Sequence, residues 1–161
     1  MSLIPVNLAT EDELSETVLL RILAHLGLFA VGTSYRRGGF GYLKRNARGW
    51  NHAAKGIPFI ILTDLDQYEC PALLIGDWLG GARHPNLLFR VAVREVEAWL
   101  VADRRNLAQY LFVPEAILPP DADGLRDPKA ALVNVARKSR SRTIRERHPK
   151  AGEYRETGSR L

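Results

Sequence analysis

The stretch Pro58-Phe59-Ile60-Ile61-Leu62-Thr63-Asp64-Leu65-Asp66 decides the fold class. It opens as an unbroken apolar run, the mark of a strand buried on both faces. Such strands belong to mainly parallel sheets, whose crossover helices cover both faces. The run then breaks into Asp64-Leu65-Asp66. Residues two apart on an extended backbone point the same way, so the spacing predicts that Asp64 and Asp66 share a ligand.

Working outward, Leu3 to Ala9 reads as a strand, and Thr10 as the cap of a helix, with Glu13 three residues on as in a capping box. Leu14, Val18, Leu19, Ile22, Leu23 and Leu26 recur at the spacing of one buried helical face, and Gly27 ends it. Leu28 to Val31 reads as a second strand. A loop with Gly32, Gly38, Gly39 and Gly41 follows, interleaved with Tyr35, Phe40 and Tyr42, and then a basic helix from Leu43 to Ala54. Tyr35, Phe40, Tyr42 and Trp50 are expected to pack on the sheet rather than stack on bases. Downstream come a helix over Ala72–Leu79, a strand over Leu87–Val93, a helix over Glu95–Asp103 with Trp99 in the core, and a continuation over Leu107–Phe112. Pro128 suits the first turn of a helix running to Lys138. The expectation is an α/β domain over residues 1–113, followed by a Pro-punctuated, basic helical extension over residues 114–161.

At 161 residues, 46% hydrophobic and 25% charged, the chain has the composition of one domain with a real core. No stretch of about 18 apolar residues is free of charge, which argues against a membrane span. The opening lacks the basic start and apolar run of a secretion signal, so a cytoplasmic location is expected. The lone Cys70 has no partner for a disulfide within the chain, and no positioned His marks it as a nucleophile. His52 and His84 have no companion at ligand spacing and are expected to be exposed or hydrogen-bonded.

Charge is unevenly spread. The net charge is +5, yet residues 129–161 hold ten basic residues against three acidic ones, leaving the preceding 128 residues slightly acidic. Between Val31 and Thr63, Arg36, Arg37, Lys44, Arg45, Arg48 and Lys55 meet no acid at all. Basic stretches on a less charged body suit a polyanion, because neutralising phosphates releases condensed counterions. The expected nucleic-acid contacts are Arg36 and Arg37 in the glycine-rich loop, Lys55 before the buried strand, and Lys138, Arg140 and Arg142, where hydroxyls alternate with cations.

In parallel sheets the ligand site lies beyond the carboxyl ends of the strands. Three strands deliver acids there: Glu11 after the first, Asp64 and Asp66 after the third, Glu95 and Glu97 after the fourth. Clustered carboxylates repel one another unless a cation neutralises them, and a hard ion held by one or two carboxylates, water and phosphate points to Mg²⁺ or Mn²⁺. Asp103 reads as a helix cap. Asp-x-Asp after a strand also occurs in haloacid-dehalogenase-like phosphatases, but there it normally follows an early strand.

The order strand, Glu, helix, strand, helix, strand, Asp-x-Asp resembles the TOPRIM fold of topoisomerases, primases and OLD-family nucleases. The resemblance is closer to small bacterial TOPRIM-like proteins of the DUF4276 type. The first motif is Thr10-Glu11-Asp12-Glu13, with Asp12 where the family has glycine, and the second is Thr63-Asp64-Leu65-Asp66. The third, Arg94-Glu95-Val96-Glu97-Ala98-Trp99-Leu100, is similar to a Glu-x-Trp-Leu-Leu signature shared with RloB-like proteins. The resemblance implies Mg²⁺- or Mn²⁺-dependent cleavage of nucleic acid phosphodiesters, in bacterial defence against phage or plasmids. It assigns proton transfer or metal bridging to Glu11, metal ligation to Asp64 and Asp66, and a second ion to Glu97, with Glu95 as rival. A non-catalytic module that docks nucleic acid or a partner ATPase is the alternative, and a homodimer is compatible with either.

Overall fold

A computed structural model describes residues 2–148 of the chain. The basic tail residues Lys150, Arg155 and Arg160 lie outside the described residues. The chain divides after Val96 into two compact units, so the boundary expected after Val113 falls inside the second.

The first unit alternates strand and helix: β1 (Ile4–Thr10), α1 (Glu13–Leu26), β2 (Phe29–Tyr35), α2 (Gly39–Ala53), β3 (Phe59–Asp64), α3 (Pro71–Leu79) and β4 (Leu87–Ala92). The four strands form one all-parallel sheet in the order β2-β1-β3-β4, the α/β architecture expected of the buried run. Ile61, Leu62 and Leu8 of the central strands are fully buried, each worth about 1.5–3 kcal/mol of transfer free energy.

Period-two alternation divides the core into two layers. Ala9, Phe59, Ile61 and Phe89 face Leu43, Ala47 and Trp50 of α2 and Leu74 and Trp78 of α3. Val6, Leu8, Ile60 and Leu62 face Leu19 and Leu23 of α1. Helix α1 thus covers one face while α2 and α3 cover the other. Since α1 follows β1 and α3 follows β3, the connections diverge between these two neighbouring strands. That is the switch point at which a parallel sheet opens a crevice at its carboxyl edge.

Several local expectations need correction. Thr10 does not cap α1: it is buried inside β1, which continues to pair with β3 through Thr10 opposite Leu62. Asp12 takes the capping role, its carboxylate accepting from the Ser15 N–H at 2.8 Å, and Gly27 closes the helix in the left-handed conformation. β2 runs on to Tyr35 and absorbs Gly32, while α2 starts at Gly39, so little of the glycine-rich loop remains. The aromatics pack as expected: Tyr35 stacks on Phe59 at 6.1 Å and Phe40 meets Trp78 edge-on at 4.9 Å.

The second unit holds most of α4 (Val96–Ala102), then α5 (Arg104–Leu111), a 3₁₀ turn at Glu115–Ile117, α6 (Pro128–Ala136) and α7 (Arg142–Arg147). Its small core joins Ala108, Leu111, Leu118, Val135 and Ala136. Pro128 opens α6 as expected, and Asp103 caps α5 through Asn106. Trp99 is not a core residue: the buried positions of α4 are Val96, Glu97, Ala98 and Val101, and Trp99 is 38% exposed.

Candidate functional site

At the carboxyl edge, the register sets Glu11, one residue past Thr10, beside Thr63 on β3. The fully buried Thr63 hydroxyl donates to the Glu11 carboxylate at 3.0 Å, which holds Glu11 on the α2/α3 side of the sheet. Asp64 is the next residue along an extended strand, so it projects to the opposite, α1 side. There its carboxylate accepts from the Val96 N–H at the start of α4, at 3.1 Å.

Asp66 does not follow Asp64 to that side. β3 ends at Asp64, and Asp66 adopts a left-handed φ of 49° that breaks the alternation; it is exposed, with its carboxylate accepting from the Gln67 amide at 3.3 Å. The two aspartates therefore do not share a direction. Among the described residues, no three Asp, Glu, His or Cys side chains are disposed to hold a metal ion. The set Glu11, Asp64 and Asp66, all at one edge, does not fit a divalent ion as it stands. The Thr10 hydroxyl, buried on the α1 side beneath this edge, has no hydrogen-bond partner among the described residues.

Glu97 belongs to the second unit, where it is 6% exposed and its carboxylate lies 3.9 Å from the Lys129 ammonium. A buried carboxylate is costly unless a cation accompanies it, which gives Glu97 a structural task within its own unit. Glu95 is partly buried at the end of the first unit.

The expected phosphate contacts also divide. Arg36 is engaged internally, 2.8 Å from Glu16 and 3.5 Å from Glu13, so acids of α1 balance its charge. Arg37 is exposed. Lys55 precedes β3 whereas Asp64 ends it, so about 16 Å of strand separates their levels and Lys55 does not serve the acidic edge. In the second unit, Lys138 and Arg140 are exposed, while Arg142 pairs with Glu146 one helical turn on at 2.6 Å.

The more coherent charged surface lies on α2. Its buried positions Leu43, Ala47 and Trp50 are followed by buried Ala54, at intervals of three and four. Lys44, Arg45, Arg48 and His52 occupy the opposite side of the helix, Lys55 continues the series, and all five are exposed. Such spacing makes one continuous stripe. Lys44 is the one member with an ion pair among the described residues, to Asp77 at 2.7 Å. Tyr68 completes that cluster by donating to Asp77. The hydrogen bond from Lys44 holds the Asp77 carboxyl below the usual carboxylate range, and the bond to Asp77 raises Lys44.

The stripe is legible in the sequence as the 44/48/52/55 spacing of cations against the apolar 43/47/50/54. Asp77 is not legible as Lys44's partner, since that contact joins two helices distant in the chain. Comparison with known proteins finds no matching family, no matching curated protein and no matching solved structure. The family resemblance therefore rests on the motif residues themselves.

Proposed function

We propose that the protein binds nucleic acid through backbone phosphates, with the basic stripe of α2 as the contact surface. The observation that carries this reading is the arrangement of α2 itself: exposed cations along one side, no acid within the helix, and a buried apolar side that fixes which way the cations point. Binding of this kind reads charge rather than base sequence, so affinity should fall steeply with salt and vary little between sequences. Titrating fluorescent oligonucleotides of unrelated sequence from 50 to 200 mM salt tests it. Affinity indifferent to salt would reject the reading.

A second reading, metal-dependent phosphodiester hydrolysis, is favoured by one observation: Glu11 and Asp64 stand at the switch point between β1 and β3. It requires an ion to draw together side chains that stand apart without it. Hydrolysis of DNA or RNA in Mg²⁺ or Mn²⁺, abolished by Asp64→Ala, would establish it. Cleavage unaffected by that substitution would remove it.

A further inference from the structure

The amino edge of the sheet carries a second feature, which the motif residues do not touch. Where α2 ends and the chain enters β4, a cleft of about 500 Å³ opens, within the size range of small-ligand sites. Arg48, Asn51, His52 and Lys55 line it from the α2 side, and Arg83 and His84 from the loop before β4. Among the described residues that line it are three permanent cations and two imidazoles, and no acid.

The cleft is braced by side chains that tie its two walls together. The Asn51 carboxamide donates to the Ala82 carbonyl at 3.0 Å and accepts from the His84 N–H at 2.8 Å, pinning the loop to α2. Asn86 donates to the Ala54 carbonyl at 3.2 Å, joining the end of α2 to the start of β4. Arg83 donates to the Leu87 carbonyl, which ties its guanidinium to the start of β4.

The His84 ring is oriented too. Its Nδ1 accepts from the Asn86 N–H at 3.2 Å, so the neutral ring carries its proton on Nε2 and has a donor left to offer. Arg48 lies flat against the turn after α3, where a side chain at residue 80 would place its first carbon 2.6 Å from the Arg48 Nη2. Lysine and histidine near a helix C-terminus also answer the helix dipole. That accounts for His52 and Lys55 at the end of α2 and for Arg48 against the end of α3, but not for Arg83, which lies beyond both helices.

We infer that this cleft is a receptor for a terminal phosphoryl group. A phosphomonoester carries about −1.5 to −2 charges near pH 7 and three strong acceptor oxygens, whereas a backbone phosphodiester carries one charge. An open cleft with arginine forks, a lysine and an imidazole donor complements the former, and the planar fork of Arg48 can match two phosphate oxygens at once. This deepens the reading of α2 as a nucleic-acid surface and rests on it: Arg48, His52 and Lys55 end the stripe inside the cleft, so a strand following the stripe would deliver its end there.

The test compares a short oligonucleotide bearing a 5′-phosphate, a second bearing a 3′-phosphate, the same sequence with hydroxyl ends, and adenosine monophosphate as free competitor. One phosphorylated end should bind about tenfold more tightly than the hydroxyl form, roughly one additional charge-assisted hydrogen bond in affinity. Arg48→Ala and Lys55→Ala, both at exposed positions, should each erase that preference while leaving the thermal unfolding profile unchanged. Competition by the mononucleotide at the concentration that displaces the phosphorylated oligonucleotide assigns the site to free nucleotides; its failure to compete assigns the site to polymer ends. Equal affinity for all three oligonucleotides overturns the phosphoryl receptor and leaves the nucleic-acid surface standing. Absence of binding by any of them overturns both.

Discussion

The two edges of the parallel sheet treat charge in opposite ways. At the carboxyl edge, charged groups serve the fold: Glu11 accepts from Thr63, Asp12 caps α1, Asp64 receives the Val96 N–H, and Arg36 is held by Glu13 and Glu16. At the amino edge, two asparagine carboxamides do most of the bracing, and Arg83 adds a bond to the Leu87 carbonyl. Asn51 and Asn86 tie the loops together, while Arg48 and Lys55 form no ion pair among the described residues. A charge already satisfied inside the molecule has little left to offer a ligand, whereas a cation held in place by neighbours that do not neutralise it retains its field. The difference teaches that acids engaged in caps and strand ends are weaker evidence of a site than cations of which most form no ion pair among the described residues.

The largest effect should come from removing what both edges share. Trp78 is 1% exposed, between Phe40 and Phe89 in the layer joining α2 and α3 to the sheet. Trp78→Ala should cost about 3–5 kcal/mol in urea unfolding, enough to abolish binding and any hydrolysis together. A loss below about 1 kcal/mol would mean that this layer does not hold the edges in place.

Charge reversal separates the edges. Arg48→Glu with Lys55→Glu should weaken oligonucleotide binding about 100-fold at low salt and flatten the log–log salt dependence by about 2, one for each lost phosphate contact. Asp64→Ala should leave affinity unchanged. Its effect should fall on stability, about 1 kcal/mol, because the Val96 N–H at the head of α4 loses its acceptor. If the ranking in binding were reversed, the comparison would be broken.

The smallest effect belongs to Asp77. Its folded pKa lies below the unfolded value, so its pair with Lys44 contributes stability that is present above the ordinary carboxylate range. That contribution disappears as pH falls through the depressed value. Asp77→Asn should therefore flatten the acid limb of a stability–pH profile below about pH 4 and leave neutral pH nearly untouched. Since both side chains are largely solvent-exposed, 0.5 M salt should mask the change.

Much of the fold was legible because it is written in local periodicity. The run 58–63 announced a strand buried on two faces, and the apolar spacing of residues 14–26 announced α1 and the glycine that ends it. Errors arose where pairing overrode a local signal. Thr10 looked like a cap but is held in β1 by its neighbour β3, and Gly32 looked like a loop residue but lies in β2. The acidic edge was legible as a location, since strand ends are readable. Its geometry was not, because the direction of a side chain past a strand end depends on backbone angles such as that of Asp66. The basic cleft was half legible: α2 supplies its cations in sequence order, while Arg83 and His84 arrive only through the pairing of β3 with β4.

The run of α2 from one edge of the sheet to the other fixes the footprint of any polymer it holds. From Lys44 to Lys55 the cations span about 16 Å at 1.5 Å per residue. A duplex places one phosphate on each strand about every 3.4 Å of its axis, so the row occludes about five phosphates of a single strand. Oligomers shorter than that would occupy only part of the row, and affinity should climb with length up to this limit before it levels off.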